Sequence, residues 1–326
     1  MRLRSLKYLA AAAILAPFGA QAMDYSLSSD RILSDPLYLP LQGQIYGATS
    51  YQWASTSENI FNSAGVKTAS ERINSNPFDQ TFEYGITDDL AVSGSIGYNP
   101  SLKTRINPVV GASADRTDEG WDDPTFGVVY RVLDQRTNPL TLDVAGSYSP
   151  NVFRARSASD SDDGTVALGG QEWTVGGTLG REMRDFTIAG TFGANYVGSH
   201  GSLNETTGDE VATNATWLYA LGLATQTRLS DQFSVNAGAA YTFAHNANVL
   251  NETTLVDHEN HVKGTPNLNA ALNYHFIPNT LVGSVTYQHD FGGGSDNVYA
   301  ALPADNTSIA NKSEDVVGVR LRYVLQ

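Results

Sequence analysis

Two alternating runs joined by a polar corner, FEYGITDDLAVSGSIGYN at residues 82–99, constrain this chain more than any other stretch. Phe82, Tyr84 and Ile86 lead into Thr87-Asp88-Asp89, and Leu90, Val92, Gly94, Ile96 and Tyr98 follow on one parity. A period of two places alternate side chains on opposite faces of a strand, so the segment reads as a β-hairpin with one greasy face and one small, polar face. The greasy face can turn inward to a soluble core, or outward to lipid around a watery bore.

The corner recurs. Asp134 to Pro139, Arg181 to Asp185, Ser230-Asp231-Gln232 and Ile277 to Thr280 follow Thr87-Asp88-Asp89 at intervals of about 48 residues, the mark of a repeated supersecondary unit. Longer stretches rich in Gly, Asn, Ser, Asp and Thr flank and separate them: Ser55–Thr68, Asn99–Asp122, Ser149–Gly169, Gly198–Asn214, Asn246–Gly264 and Gly292–Lys312. Five short turns alternating with six long loops predict an all-β, antiparallel, up-and-down barrel of about twelve strands with both ends on the short-turn side.

Phase decides which face is outside. One parity carries Phe126, Val128, Tyr130 and Val132; Leu140, Leu142, Val144 and Tyr148; Trp173, Val175 and Leu179; and Val317, Val319, Leu321 and Tyr323. The other is Ser, Thr, Gly, Ala, Asn or Gln with a few charges, over segments of about ten residues, the length of a tilted membrane-crossing strand. Tyr130, Phe186, Phe233, Phe276 and Tyr323 lie beside the short turns, and Trp53, Tyr98, Tyr148, Trp173, Tyr196, Trp217, Tyr241 and Tyr287 near the long loops. Two aromatic belts match the girdles of a membrane barrel, whereas a soluble sandwich would gather its aromatics in mid-strand. The expected location is therefore the bacterial outer membrane, with outer-membrane lipid and lipopolysaccharide as neighbours.

The start of the chain agrees. Arg2, Arg4 and Lys7 precede an apolar run, Tyr8 to Phe18, and Ala20-Gln21-Ala22 follows, the three parts of a secretory signal peptide over residues 1–22. Its removal takes three of 20 basic residues against 34 acidic ones and moves the net charge from -14 to -17, which argues against nucleic acid as a partner. With no Cys, no disulfide framework is available. Residues 23–41, MDYSLSSDRILSDPLYLPL, are too few for a plug domain and are expected either to fold into the lumen or to hang in the periplasm, ahead of a barrel over 42–326.

FEYGITDDLAVSGSIGYNP and GWDDPTFGVVYRVLDQRTNPLTLDVAGSYSPNVF resemble the outer-membrane channel family named for the MetA pathway of phenol degradation, with its E-Y-G-I-T-D corner and G-x-x-D-P-x-x-G-x-x-Y-R strand start. The resemblance implies passage of aromatic or other hydrophobic compounds. The chain ends Tyr323-Val324-Leu325-Gln326 rather than on Phe, so the barrel-assembly machinery would have to read Tyr323 and the alternation before it.

Inward positions are mostly minimal, as in Ala91, Ser93, Ser95 and Gly97 or Thr174, Gly176, Thr178 and Gly180, and small side chains leave a cavity. The inward ionisable groups, taken as pore-lining candidates, are Glu83, Arg131, Asp143, Glu172, His275, Asp290, Arg320 and Arg322. Arg320 and Arg322 could meet carboxylates across the lumen and set a transverse field, while Arg131 and Asp143 lie diagonally across one hairpin as a wall salt bridge. Acidic loops at Asp115, Asp118, Glu119, Asp122 and Asp123, at Asp160, Asp162 and Asp163, and at Glu205, Asp209 and Glu210 could hold divalent cations or simply be solvated. An outer-membrane lipid hydrolase is the rival class, since His200-Gly201-Ser202 followed by Asn214 has the spacing of a membrane phospholipase triad. A non-transporting structural or receptor barrel is the third. No phosphate loop, HExxH or Cys-based metal site is present in the sequence, so no cofactor, no metal and no enzymatic activity are expected. The favoured reading is passive diffusion of a small-molecule permeant.

Overall fold

In the computed structural model, residues 32–153, 167, 169–183, 185–204, 209–251, 256–299 and 303–325 are described. The expected signal peptide and the acidic run Asp160 to Asp163 lie outside them.

The wall is a closed antiparallel barrel of 12 strands, several of them broken once at the outer rim. In chain order it is built from β1 (Ile45–Asn62); β2 (Lys67–Ser75) running into β3 (Phe78–Thr87); β4 (Leu90–Pro108); β5 (Ala114–Trp121) into β6 (Thr125–Leu133); and β7 (Thr141–Ser149). There follow β8 (Glu172–Met183); β9 (Phe186–Val197) into β10 (His200–Asn204); β11 (Asp209–Thr213) into β12 (Thr216–Arg228); and β13 (Phe233–Ala244) into β14 (Ala247–Asn251). The circuit ends with β15 (Val256–Val262) into β16 (Thr265–Ile277), β17 (Leu281–Phe291) into β18 (Ser295–Val298), and β19 (Thr307–Leu325). Closure is made by β1 against β19, from Ile45 opposite Leu325 to Asn62 opposite Thr307, so no edge amides are left for lipid.

The greasy parity is the outside. Trp173, Val175, Phe126 and Leu221 are more than half exposed, while the inward Ala91, Thr141 and Ser234 are fully covered. Tyr148, Trp173, Tyr196 and Trp217 stand directly opposite one another on β7, β8, β9 and β12, forming one arc of the outer girdle. Their rings touch, with centroids 4.3 Å apart for Tyr148 and Trp173 and 5.3 Å for Tyr196 and Trp217. Phe233 and Tyr274, 5.1 Å apart, belong to the inner girdle beside the short turns. This exterior is that of a barrel whose strands cross a lipid membrane.

The polar stretches expected to be loops are largely strand. Ser55–Thr68 and Asn99–Asp122 continue as the β1–β2 and β4–β5 hairpins, and β14, β15 and β18 carry the wall outward on the far side. Polar composition marked where water begins. It did not end the ladder, because backbone pairing needs a neighbouring strand and no particular side chain.

Candidate functional site: a plugged lumen with an outer cavity

Residues 32–40 lie inside the periplasmic end of the barrel. Two successive turns shape them: Asp35 N–H donates to the Ile32 carbonyl at 2.9 Å and Tyr38 N–H to the Asp35 carbonyl at 3.1 Å, with Pro36 in the second position of the latter turn. The Asp35 carboxylate accepts from Leu37 N–H at 2.7 Å and from the Thr187 hydroxyl at 2.6 Å. Gln226 donates to Ser34 Oγ at 2.6 Å and Asn236 to its carbonyl at 2.7 Å. The segment thus crosses the bore, from β12 and β13 past β9 to β6 and on to β3. Leu33, Tyr38 and Leu39 pack on the inward Tyr46, Ala91, Val129, Val282 and Val324, the one substantial apolar core on the lumenal side among the described residues. Leu37 and Leu39 are wholly buried.

Two glycines make room for this segment. A Cβ at Gly180 would stand 2.8 Å from the Leu37 side chain. At Gly85 it would overlap the carbonyl oxygens of Pro40 and Leu41, where the chain leaves the lumen to begin β1. Gly85 is the glycine of the EYGITD corner. Sequence reasoning took that corner as turn chemistry and missed its role as the exit groove of residues 40–41. Only the absence of a side chain at that position carried the signal.

The wall absorbs most of the inward charges. Arg131 and Asp143 are directly opposite, not diagonal, and form a bidentate pair at 2.8 and 3.0 Å, each 2% exposed. The alternation is interrupted between Arg131 and Leu133, which moves the register by one and brings the two into line. Arg131 also donates to the Leu37 carbonyl at 3.1 Å. Arg322 reaches Ser284 on the neighbouring β17 at 2.7 Å. Arg320, Ser50 and Asp79 form a row across β19, β1 and β3, with Ser50 donating to Asp79 at 3.3 Å. Glu172 accepts from Asn195 at 3.1 Å, His275 Nε2 meets Ser234 Oγ at 3.0 Å, and Asp290 is held by Asn267 and by Gln288. Glu83 is buried opposite Tyr46.

Outward of the plug lies a cavity of about 260 Å³ bounded by β3, β4, β6 to β9, β12 and β13. Its lining is mainly Gly, Ala, Ser and Thr, including Ser93, Ser95, Ala145, Gly176 and Ala220. Asp79, Asp122, Asp123 and Glu172 cluster at its outer end, and none of its lining residues is basic. The lipid-facing Ile96, Val128, Phe192, Tyr219 and Leu221 border the same space. Gly146 and Gly177 fall on the lipid-facing parity and Gly176 and Gly193 on the lumenal one, which thins the wall here, although the Phe192 ring lies over Gly177. The external acidic hairpin behaves differently: Arg105 grips Asp115 at 2.7 Å and holds its carboxyl below the usual range.

The residues of the hydrolase motif lie on β10 and just past the end of β11. His200 directs Nδ1 to the Gly198 carbonyl at 3.1 Å and stands opposite Thr213, Asn214 is exposed, and the side chain of Ser202 lies outside the described ones. The nitrogen that Asn214 would have to orient is thus already engaged.

No family model matches the sequence, and no curated protein matches it. Among solved structures, the COG4313 outer membrane channel from Pseudomonas putida F1 is similar in fold, with a TM-score of 0.57 at 13% identity over 92% of this chain and 100% of that one. The transport unit of the autotransporter AIDA-I from Escherichia coli superposes over 95% of this chain and 96% of its own, with a TM-score of 0.54 at 10% identity. At such identities the likeness is one of architecture: a membrane barrel traversed by antiparallel strands.

Proposed function

We propose that this barrel is an outer-membrane channel through which small hydrophobic molecules, aromatic compounds among them, move by passive diffusion. The observation that carries the reading is the cavity: a space of about 260 Å³ walled by the smallest side chains, stopped on the periplasmic side by residues 32–40 and bordered by the lipid-facing surface at a run of glycines. A dry cavity of about 150 Å³ already accepts benzene, so a single-ring compound fits here without moving the plug. The motif resemblance to the MetA-pathway channels and the description of the P. putida relative as a channel point the same way. Of the wall charges, Asp143 and Glu172 border the cavity, while Glu83, Arg131, His275, Asp290, Arg320 and Arg322 stand in the wall around it, and the set serves mainly as paired, rigidifying groups. Lipopolysaccharide would surround the outer girdle, the assembly machinery would read the last strand through Tyr323, and residues 1–22 would direct export.

Planar-bilayer recording of the folded protein tests this directly. Small discrete current steps are expected from the plugged barrel, and deletion of residues 32–40 is expected to raise their size several-fold. Vesicles holding the intact protein should take up toluene-sized solutes faster than empty ones. Lipid cleavage abolished by Ser202→Ala, without any current, would instead establish the hydrolase.

A further inference from the structure

Beyond the outer girdle, where Trp53 opposes Val317, the inward positions of β1, β2 and β19 carry a second set of charges. Glu314 stands opposite Thr56, and one step further out Glu58 stands directly opposite Glu71 on the β1–β2 hairpin. All three carboxylates are covered, Glu58 being 2% exposed, and neither of its oxygens has a hydrogen-bond partner. Lys312 of β19 is the cation facing Glu58 and Glu314. Asp290 of β17 and Asp315 of β19 add negative charge around Glu314, to which Thr56 donates. Ile60, Ala69 and Ile309, with Ile106 packed against them, close over the cluster as an apolar cap.

Fully ionised, Glu58 and Glu314 would be two buried carboxylates facing the one ammonium of Lys312. A buried charge without a hydrogen-bond partner costs several kcal/mol, and neither oxygen of Glu58 has one. Protonation removes the conflict without moving an atom. We propose that Glu58, Glu314 and Lys312 form a proton-controlled wetting switch at the outer mouth, in which bound protons keep the lumen between β19, β1 and β2 dry beneath its cap and ionisation draws water in. This rests on the channel reading for its consequence, the control of passage, and not for the switch itself.

Burial pushes the Glu58 carboxyl up to about 7 against the pull of Lys312, and the Glu314 carboxyl likewise to about 7. A raised carboxyl favours the protonated, covered state. The capped form is therefore at full stability below the ordinary carboxylate range, loses it as pH climbs from there toward 7, and is disfavoured above neutrality.

The chain contains no Cys, so a single thiol can report wetting. An Ala69→Cys variant places it within the cap itself, at a covered position that only opening exposes, and an Ala64→Cys variant at the exposed hairpin tip corrects for the reagent's own pH dependence. With a charged, water-soluble thiol reagent, the ratio of the two labelling rates should rise roughly tenfold between pH 5.5 and 8.5, the interval over which a group near 7 titrates. Adding Glu58→Gln and Glu314→Gln should flatten it at the low value. A flat ratio in the unsubstituted background, or an unchanged rise after both Gln substitutions, would overturn the proposal. Ile60→Cys serves if Ala69→Cys does not fold. Labelling needs no permeant, so loss of the channel reading leaves this test intact. A pH-dependent ratio accompanied by pH-independent current would remove the switch's role in passage.

Discussion

Arg131 donates from Nη2 to the carbonyl of Leu37, 94 residues earlier in the chain, at 3.1 Å, while its other bonds go to Asp143. One guanidinium thus joins the barrel wall to the segment that stops the bore. The fixed fork of arginine allows this, since it can grip a carboxylate in parallel and still present a donor elsewhere. Arg131→Met should strand a buried carboxylate and cost about 3–5 kcal/mol of stability, whereas Arg131→Met with Asp143→Leu should recover most of it. Both should loosen the plug. Urea unfolding in detergent micelles reads the first effect and larger current fluctuations the second; equal stability of single and double variants would refute the coupling.

The cavity has four carboxylates at its outer end and no basic residue in its lining. Ions that leak through should therefore be mainly cations. Asp122→Asn together with Glu172→Gln should lower the cation-to-anion permeability ratio, measured from reversal potentials in a salt gradient. An unaltered ratio would place the ion path elsewhere.

Gly146 points to the lipid side between Val128 and Val175, and a Cβ there would meet nothing nearer than the Thr174 carbonyl oxygen at 3.8 Å. Gly146→Leu should consequently fold normally and cover the thin part of the wall. Uptake of a hydrophobic solute into vesicles should fall several-fold while ion conductance stays as before. A parallel fall in both would mean that the two share the axial route.

Tyr148 and Trp173 face each other on β7 and β8 with ring centroids 4.3 Å apart. Aromatic pairs of this kind contribute about 0.5–1.5 kcal/mol beyond the area they cover. A double-mutant cycle of Tyr148→Ala and Trp173→Ala, followed by unfolding in lipid, should return a coupling energy in that range. Strict additivity would show that the belt acts through lipid contact alone.

Much of this protein can be read from local pattern. The alternation around Val128, Leu142 and Val319 establishes strands with one greasy face, and the corners at Asp88, Asp231 and Asn279 count them. The aromatics at Trp53, Trp173 and Trp217 mark where lipid ends. Each signal depends on residues within one hairpin, because the β period and the membrane thickness are imposed strand by strand. The wall charges were likewise legible as inward-facing, but their partners were not. A slip of one register step, such as that at Leu133, decides whether Arg131 stands opposite Asp143 or opposite Val144, with Asp143 turned to the other face.

What the pattern could not supply is whatever joins distant parts of the chain inside the bore. Ser34 meets Asn236 across 202 residues, and Gly85 yields to the carbonyls of Pro40 and Leu41. Glu58 and Lys312 come together only because β1 closes on β19. Sequence by itself determined the face each side chain shows, since that follows from the pleat. Only tertiary closure decided which residues share the enclosed space, and therefore where the plug lodges, where the cavity remains and which charges must be neutralised.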